Sequence, residues 1–283
     1  MENRNADGVV ETESGSLLFV EPHQTKKKFI DFMRYVQADS AAAVPTPPEV
    51  RNVKYAQTRT LLLRMHSPIP ATPDFISEND NLREEYHTLF SDVPPDVSWA
   101  RIALEQSADA INFWLGNERS ITALHKDNYE NIYVQVIGQK HFVLLPPVEM
   151  PCVNEQNLTQ TRYAPRYEGS EDDLCIKVQD GCESIPVATW DPEDPKAQCS
   201  EYSHLSKPLF VTLNEGDMLY LPAMWYHKVK QTSGKEGFTC AVNYWYDMSF
   251  EGSFWASNSF VRDVTLAKEK AVKYPDLETG NAK

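Results

Sequence analysis

TALHKDNYENIYVQVIGQKHFVLLPP, Thr122–Pro147, is the stretch whose reading decides the fold. From Asn128 to Ile137 the apolar Ile132, Val134 and Val136 alternate with Asn131 and Tyr133, the period of two of a half-buried strand. Gly138-Gln139 is turn-forming. Lys140 to Leu145 returns as a second strand until Pro146-Pro147 ends it, so the pattern predicts a β-hairpin. His125-Lys126-Asp127 stands just before the first strand. In extended chain the i, i+2 spacing puts His125 and Asp127 on one face, and Asn131 and Tyr133 share their parity.

A metal held by that pair needs a third ligand from elsewhere. His227 supplies one, at the start of a strand in Leu219-Tyr220-Leu221-Pro222-Ala223-Met224-Trp225-Tyr226-His227. Two histidines and a carboxylate on one face leave three positions of an octahedral metal open, the pattern of non-heme Fe(II) oxygenases. A chelating co-substrate takes two of these and oxygen the third. A histidine and an aspartate two apart arise by chance in many sequences, so the neighbours matter. Asn131 and Tyr133 on an inner face need partners, because an unpaired buried polar group costs about 1–3 kcal/mol. Lys140, after the turn, is placed to pair the far carboxylate of a dicarboxylate, and the Thr122 hydroxyl can reach the same group. Asn243, in Ala241-Val242-Asn243-Tyr244-Trp245, is another polar residue amid apolar neighbours. His23, His66, His87 and His204 lie in polar or loop-like stretches and read as surface residues, and His141 should point away from the Lys140 face.

Outward from this stretch, residues 1–15 read as polar coil and Ser16 to Val20 as a strand. Lys27 to Gln37 carries a helical stripe, Ala41 to Val50 is an Ala/Pro linker, and Val53 to Met65 reads as a strand region that the prolines of Ser67 to Pro73 interrupt. Leu82 to Phe90 and Val97 to Ala103 are short elements. Ile111, Phe113 and Leu115 alternate with Asn112, Trp114 and Gly116, predicting a strand. Residues 148–207 are acidic and Pro-dotted, without sustained periodicity; a loop that long is functional or hides short elements. Strands follow at Leu209 to Leu213, Met218 to Pro222, Trp225 to Gln231 and Phe238 to Tyr246, and residues 253–273 close with a helix. Residues 110 to 247 thus read as a small barrel or sandwich of short antiparallel strands. The expected organisation is flanking helices and strands in 1–109, a β core in 110–249 with an insertion at 148–207, and a helical segment in 250–283.

With 283 residues, 41% of them hydrophobic, one large domain or two small ones can be buried. A formal net charge of −14 without a basic stripe sets aside nucleic acid, and Lys26-Lys27-Lys28 is too short to change that. The acidity favours a basic protein or peptide as client, and Glu168 to Asp173 could attract one. No apolar run is long enough to span a bilayer, so no membrane partner is expected. The five cysteines, Cys152, Cys175, Cys182, Cys199 and Cys240, lack metal-site spacing and read as free thiols of a reducing compartment.

Taken together, several motifs resemble the Jumonji-C domain family. They are Asn112-Phe113-Trp114-Leu115-Gly116, Leu124-His125-Lys126-Asp127-Asn128-Tyr129-Glu130-Asn131, Gly138-Gln139-Lys140-His141-Phe142 with Pro146-Pro147, Gly216-Asp217-Met218 through Trp225-Tyr226-His227, and Val242-Asn243-Tyr244-Trp245-Tyr246-Asp247-Met248. The likeness is strongest over roughly 95–147 and 209–249, weaker through 7–65 and poor in 148–207. It implies a mainly β protein, a double-stranded β-helix or jelly roll with helices outside. It implies Fe(II) on His125, Asp127 and His227. It implies 2-oxoglutarate against Thr122, Asn131, Tyr133, Lys140 and Asn243, with O2 as the other co-substrate. Tyr55, in Asn52-Val53-Lys54-Tyr55-Ala56-Gln57, corresponds to a further co-substrate tyrosine from an earlier strand. The lysyl hydroxylase branch is the nearest in motif. It implies (3S)-hydroxylation of a lysine in a developmentally regulated GTPase of the translation-factor class, a cytoplasmic location with the nucleus left open, and a homodimer as an assembly to test. Members of the family carry a further N-terminal segment ahead of the part matched from Ala6-Asp7-Gly8, and this sequence is expected to lack it. The competing readings are another chemistry of the same family, an idle binding barrel, and a cupin-type isomerase or metal store. The first covers demethylation of methyl-lysine or hydroxylation of Asn, His or Arg. The last has no need of the Thr122 and Lys140 pair.

Overall fold

Strands with one apolar and one mixed face must be covered on both sides, and the chain does this by folding two sheets onto each other. The computed structural model describes residues 8–41, 53–56, 80–170, 173–178 and 184–273. Eight of its strands form the barrel: β3 (Ala110–Gly116), β4 (Thr122–His125), β5 (Tyr129–Ile137), β6 (Gln139–Leu145), β10 (Leu209–Leu213), β11 (Met218–Leu221), β12 (Tyr226–Thr232) and β13 (Thr239–Asp247). One sheet has the order β10-β6-β12-β4 and the other β11-β5-β13-β3, with every pairing antiparallel. The chain crosses between the sheets at nearly every turn, which is the double-stranded β-helix.

The expected hairpin at Gly138 is therefore corrected. β5 pairs with β13 and β11, whereas β6 pairs with β12 and β10. Gly138, at φ +74°, turns the chain from one sheet into the facing one, and a Cβ there would sit 2.6 Å from the Thr232 carbonyl oxygen. The physical reason is burial: the Tyr133 and Phe142 rings meet edge to face at 5.2 Å across the barrel interior. Around them pack Leu144, Leu213, Leu221, Val229 and Ala241. Each such large apolar side chain contributes about 1.5–3 kcal/mol on burial.

Helices cover the outer face of the β5 sheet. Val36 of α1 (Phe29–Ala41), Leu82 of α2 (Asn81–Glu84) and Ala100 of α3 (Ser98–Leu104) pack on Ile111, Phe113, Ile132 and Tyr244. Asn81 takes the Phe113 N–H on its Oδ1 at 2.6 Å and donates Nδ2 to the Phe113 carbonyl at 3.0 Å, locking α2 to β3. The expected helix at Leu82 to Phe90 is shorter, because only Asn81–Glu84 is helical before a turn and a single 3-10 turn at Phe90–Asp92.

The outer face of the β6 sheet is covered by the segment that had no legible period. Residues 148–207 hold three strands, β7 (Glu155–Pro165), β8 (Leu174–Val178) and β9 (Ser184–Ala188). They join β1 (Gly8–Glu11) and β2 (Leu17–Glu21) in a further sheet, with β2 and β7 parallel. Residues 8–11 are thus strand rather than coil. Met150, Val153 and Trp190 of this insertion pack on Leu124, Val143, Leu145 and Tyr226, with Leu266 of α4 (Ser253–Lys273) beside them. An ion-pair clamp reinforces it: the Lys228 ammonium lies 2.5 Å from Asp191 and 2.8 Å from Glu193. The expected linker at 42–50, most of the strand region 53–65, the prolines after it, His66 and Cys182 lie outside the described residues.

Candidate active site

Register places the two histidines. His227, near the start of β12, is paired directly with His125 at the end of β4, and their ring centroids are 4.1 Å apart. Asp127 follows two residues after His125. Its Oδ2 is 3.7 Å from His125 Nε2 and 3.6 Å from His227 Nε2. Ligand atoms of the three lie within 4.8 Å of one another, the one such group among the described residues. Each ring sets its other nitrogen, Nδ1, against a backbone carbonyl, at 2.8 Å to Ala123 and 3.1 Å to Trp225. Donation there leaves the Nε2 lone pairs aimed at the common centre, the usual way a metal-binding imidazole is oriented. Burial and the neighbouring His125 push His227 down to about 4, so it is neutral, the form that binds a metal. Two nitrogens and one oxygen on one face suit a divalent metal with open positions.

Backbone contacts hold this geometry. Met224 sits in the left-handed region at φ +65°, and its N–H donates to the Asp127 carbonyl at 2.7 Å. The strained turn before β12 thus ties the loop carrying the aspartate to the strand carrying the second histidine. Sequence reasoning did not single out Met224; nothing in its type signals such a role.

At the other end of the same cavity, Lys140 is 3% exposed. Its ammonium donates to the Tyr55 hydroxyl at 3.0 Å, and no carboxylate lies within 4.0 Å of it among the described residues. Burial pushes its pKa down to about 7. A buried cation without a counter-charge is costly, and an anion entering the cavity would remove that cost. Along the wall, Trp114 Nε1 donates to Asn243 Oδ1 at 2.7 Å and Asn243 Nδ2 donates to Asn131 Oδ1 at 2.9 Å. Tyr55 stacks on Trp114 with centroids 5.9 Å apart. Gly116 makes room for that tyrosine, because a Cβ there would meet its ring at 2.4 Å. Trp114 and Gly116 share a face of β3, so the alternation at residues 112–116 held the signal for both. Thr122, Tyr133, Phe142 and Val229 complete the lining.

All the residues singled out in the sequence for metal or co-substrate line this one cavity: Tyr55, Thr122, His125, Asp127, Asn131, Tyr133, Lys140, His227 and Asn243. His141 lies on the opposite face, between the Thr212 and Thr232 hydroxyls at 3.0 and 2.8 Å. In the acidic run at 168–173, Asp173 pairs with Arg166 at 3.2 Å, and residues 171 and 172 lie outside the described set. Cys152, Cys175, Cys199 and Cys240 are free, and none joins a metal-type cluster among the described residues.

The family described as cupin-like domain matches residues 2–252. The chain is 39% identical over 181 residues to the lysine-specific demethylase JMJ32 of Arabidopsis thaliana, covering 62% of this chain and 52% of that one. It is 40% identical over 172 residues to the bifunctional peptidase and (3S)-lysyl hydroxylase JMJD7 of Homo sapiens, covering 60% and 52%. It is 30% identical over 200 residues to JmjC domain-containing protein E of Dictyostelium discoideum, covering 66% and 56%. The chain thus spans about half the length of these relatives. The motifs, the two crossed sheets and these likenesses agree: the chain belongs to the cupin-like domain family, in its Jumonji-C group.

Proposed function

We propose that this chain is an Fe(II)- and 2-oxoglutarate-dependent oxygenase that hydroxylates a protein side chain, with a lysine of a translation-factor-class GTPase as the substrate. The observation that carries the reading is the buried Lys140, without a counter-charge among the described residues, in a cavity whose other end holds His125, Asp127 and His227. A dicarboxylate spans such a cavity, with one end on the metal and the other on the cation.

His125, Asp127 and His227 would hold the iron, which with its co-substrate supplies the activation of oxygen that adds one oxygen atom to a C–H bond. The rest is positioning by the chain. Lys140, Tyr55 and Thr122 bind the far carboxylate. A charge-assisted hydrogen bond of this kind contributes about 1.5–3 kcal/mol. The chain of hydrogen bonds from Trp114 through Asn243 to Asn131 fixes the wall between the two ends. Phe142, Val229 and Tyr133 pack together and line the interior.

The test is incubation of the chain with Fe(II), 2-oxoglutarate and a peptide from such a GTPase, read by mass spectrometry and succinate release. A gain of one oxygen on lysine is the expected result. Loss of a methyl group from a methyl-lysine peptide, with no gain on the unmodified one, would select the demethylase chemistry named for the Arabidopsis relative. No succinate under any condition would sink the oxygenase reading.

A further inference from the structure

The cavity does not stop at the metal group. Successive residues of a strand point to opposite faces, so Tyr226 of β12 lies on the other side from His227, and Lys126, just past the end of β4, holds its ammonium over the Tyr226 ring rather than toward the metal group. Tyr226 packs on the outer face of its sheet, among Leu124, Leu145 and the insertion's Val153 and Trp190. Lys126 and Tyr226 nevertheless line the same cavity as the metal group, together with Glu155, Ile185 and Val187. The cavity therefore bends around β4, the edge strand of its sheet, into an outer lobe walled by β9 of the insertion.

The lobe has a definite polarity. Glu155 is buried, and both contacts from Arg262 of α4 fall on its Oε1, at 2.8 Å from Nε and 2.5 Å from Nη2. Its charge is thereby matched. Lys126 has no carboxylate within 4.0 Å among the described residues, and its ammonium lies 5.1 Å from the centre of the Tyr226 ring. Glu155 attracts the ammonium and Arg262 repels it from beyond salt-bridge distance, so these three groups carry one net positive charge. Tyr226 is 2% exposed, and its hydroxyl has no hydrogen-bond partner among the described residues. An unmatched ammonium and an unused O–H donor beside the apolar Ile185 and Val187 suit one chemical group, a carboxylate on a short alkyl stem. A cationic side chain fits poorly, since Arg262 already holds Glu155 and Lys126 repels it.

We propose that the outer lobe binds the segment of the protein substrate next to the modified residue and seats one Glu or Asp side chain of it between the Lys126 ammonium and the Tyr226 hydroxyl. This rests on the reading of a protein substrate given above. It makes Lys126 and Tyr226 determinants of substrate sequence rather than of the oxygen chemistry.

The test is selection of a random heptapeptide library on the immobilised chain loaded with Mn(II) and N-oxalylglycine, a 2-oxoglutarate analogue that is not turned over. The wild-type chain should enrich an acidic residue at one position. Affinity for the enriched peptide should fall about tenfold or more in Lys126→Met and in Tyr226→Phe, the loss of one hydrogen bond to a charged group. Lys126→Arg should keep the preference, which separates lost charge from lost fold. A wild-type selection with no acidic preference, a preference for Lys or Arg, or an acidic preference that survives both substitutions overturns the assignment. Succinate release with Fe(II), 2-oxoglutarate and the substrate or enriched peptides is read separately. Its absence counts against the oxygenase reading while the peptide selection still reports on the lobe.

Discussion

The two ends of the cavity are walled by different kinds of sequence. The inner end, around Lys140, is made of strands whose alternation is plain in the chain, with Trp114, Asn131, Tyr133 and Asn243 on their inward faces. The outer end, around Lys126, is walled by β9, a short strand inside a polar, Pro-dotted segment. Both ends hold a lysine without a carboxylate within salt-bridge distance among the described residues. Lys140 sits in a closed barrel interior and is 3% exposed, whereas Lys126 is partly exposed, with its ammonium 5.1 Å from the centre of an aromatic ring and Glu155 and Arg262 acting on it from farther off. On the proposals above, the difference assigns the inner end to a fixed small molecule and the outer end to a varied partner. A buried charge with preset neighbours suits one dicarboxylate, and a half-open lobe suits a peptide.

Four experiments bear on that comparison. Asp127→Ala removes the one oxygen ligand between the two ends. It should weaken Mn(II) binding by at least about a hundredfold, more than is typical for loss of a residue that merely orients a ligand. Calorimetric titration checks it, and unchanged metal affinity would break the assignment of the centre. Trp190→Ala strikes only the outer side. It removes a large aromatic from the insertion's contact with the β6 sheet and should cost about 3–5 kcal/mol of stability. Chemical denaturation checks it; a loss below about 1 kcal/mol would mean the insertion packs more loosely than its burial indicates.

Lys140→Met strikes only the inner side, and its two effects should have opposite signs. Affinity for N-oxalylglycine should fall about tenfold or more, since a charge-assisted contact is lost. The unliganded protein should melt at the same temperature or higher, because a buried charge without a counter-charge has gone. A lower melting temperature with unchanged affinity would show that Lys140 is structural. The same residue predicts a pH dependence. Burial pushes the unliganded Lys140 down to about 7, and a bound carboxylate would raise it again. Binding then takes up a proton at pH above 7, so affinity should fall as pH rises from there, by at most about tenfold per unit. Titrations at saturating metal should show this slope in the wild-type chain and lose it in Lys140→Met.

Much of the inner end was legible because its signals are local. A histidine and an aspartate two residues apart share a face in any extended chain, and the alternation through Tyr133 carries that face onward whatever the strand pairs with. The hairpin reading at Gly138 failed for a related reason. A glycine turn between two alternating strands looks the same whether they pair side by side or lie in facing sheets. Only the burial of Tyr133 against Phe142 across the interior separates the two cases. Met224 was missed because a left-handed backbone at a non-glycine residue is imposed by its surroundings.

By itself, then, the sequence determined the parity of the metal-type residues, the β character of the core and the polar inner face, since each follows from a period of two within one strand. The tertiary structure decided that β5 and β6 lie in opposite sheets, that Tyr55 reaches Lys140 from a distant segment, and that 148–207 is a three-stranded wall whose β9 bends the cavity around β4. These depend on which faces bury each other across long stretches of chain. No local spacing records that, because the free energy that selects it comes from contacts made only after the strands have met.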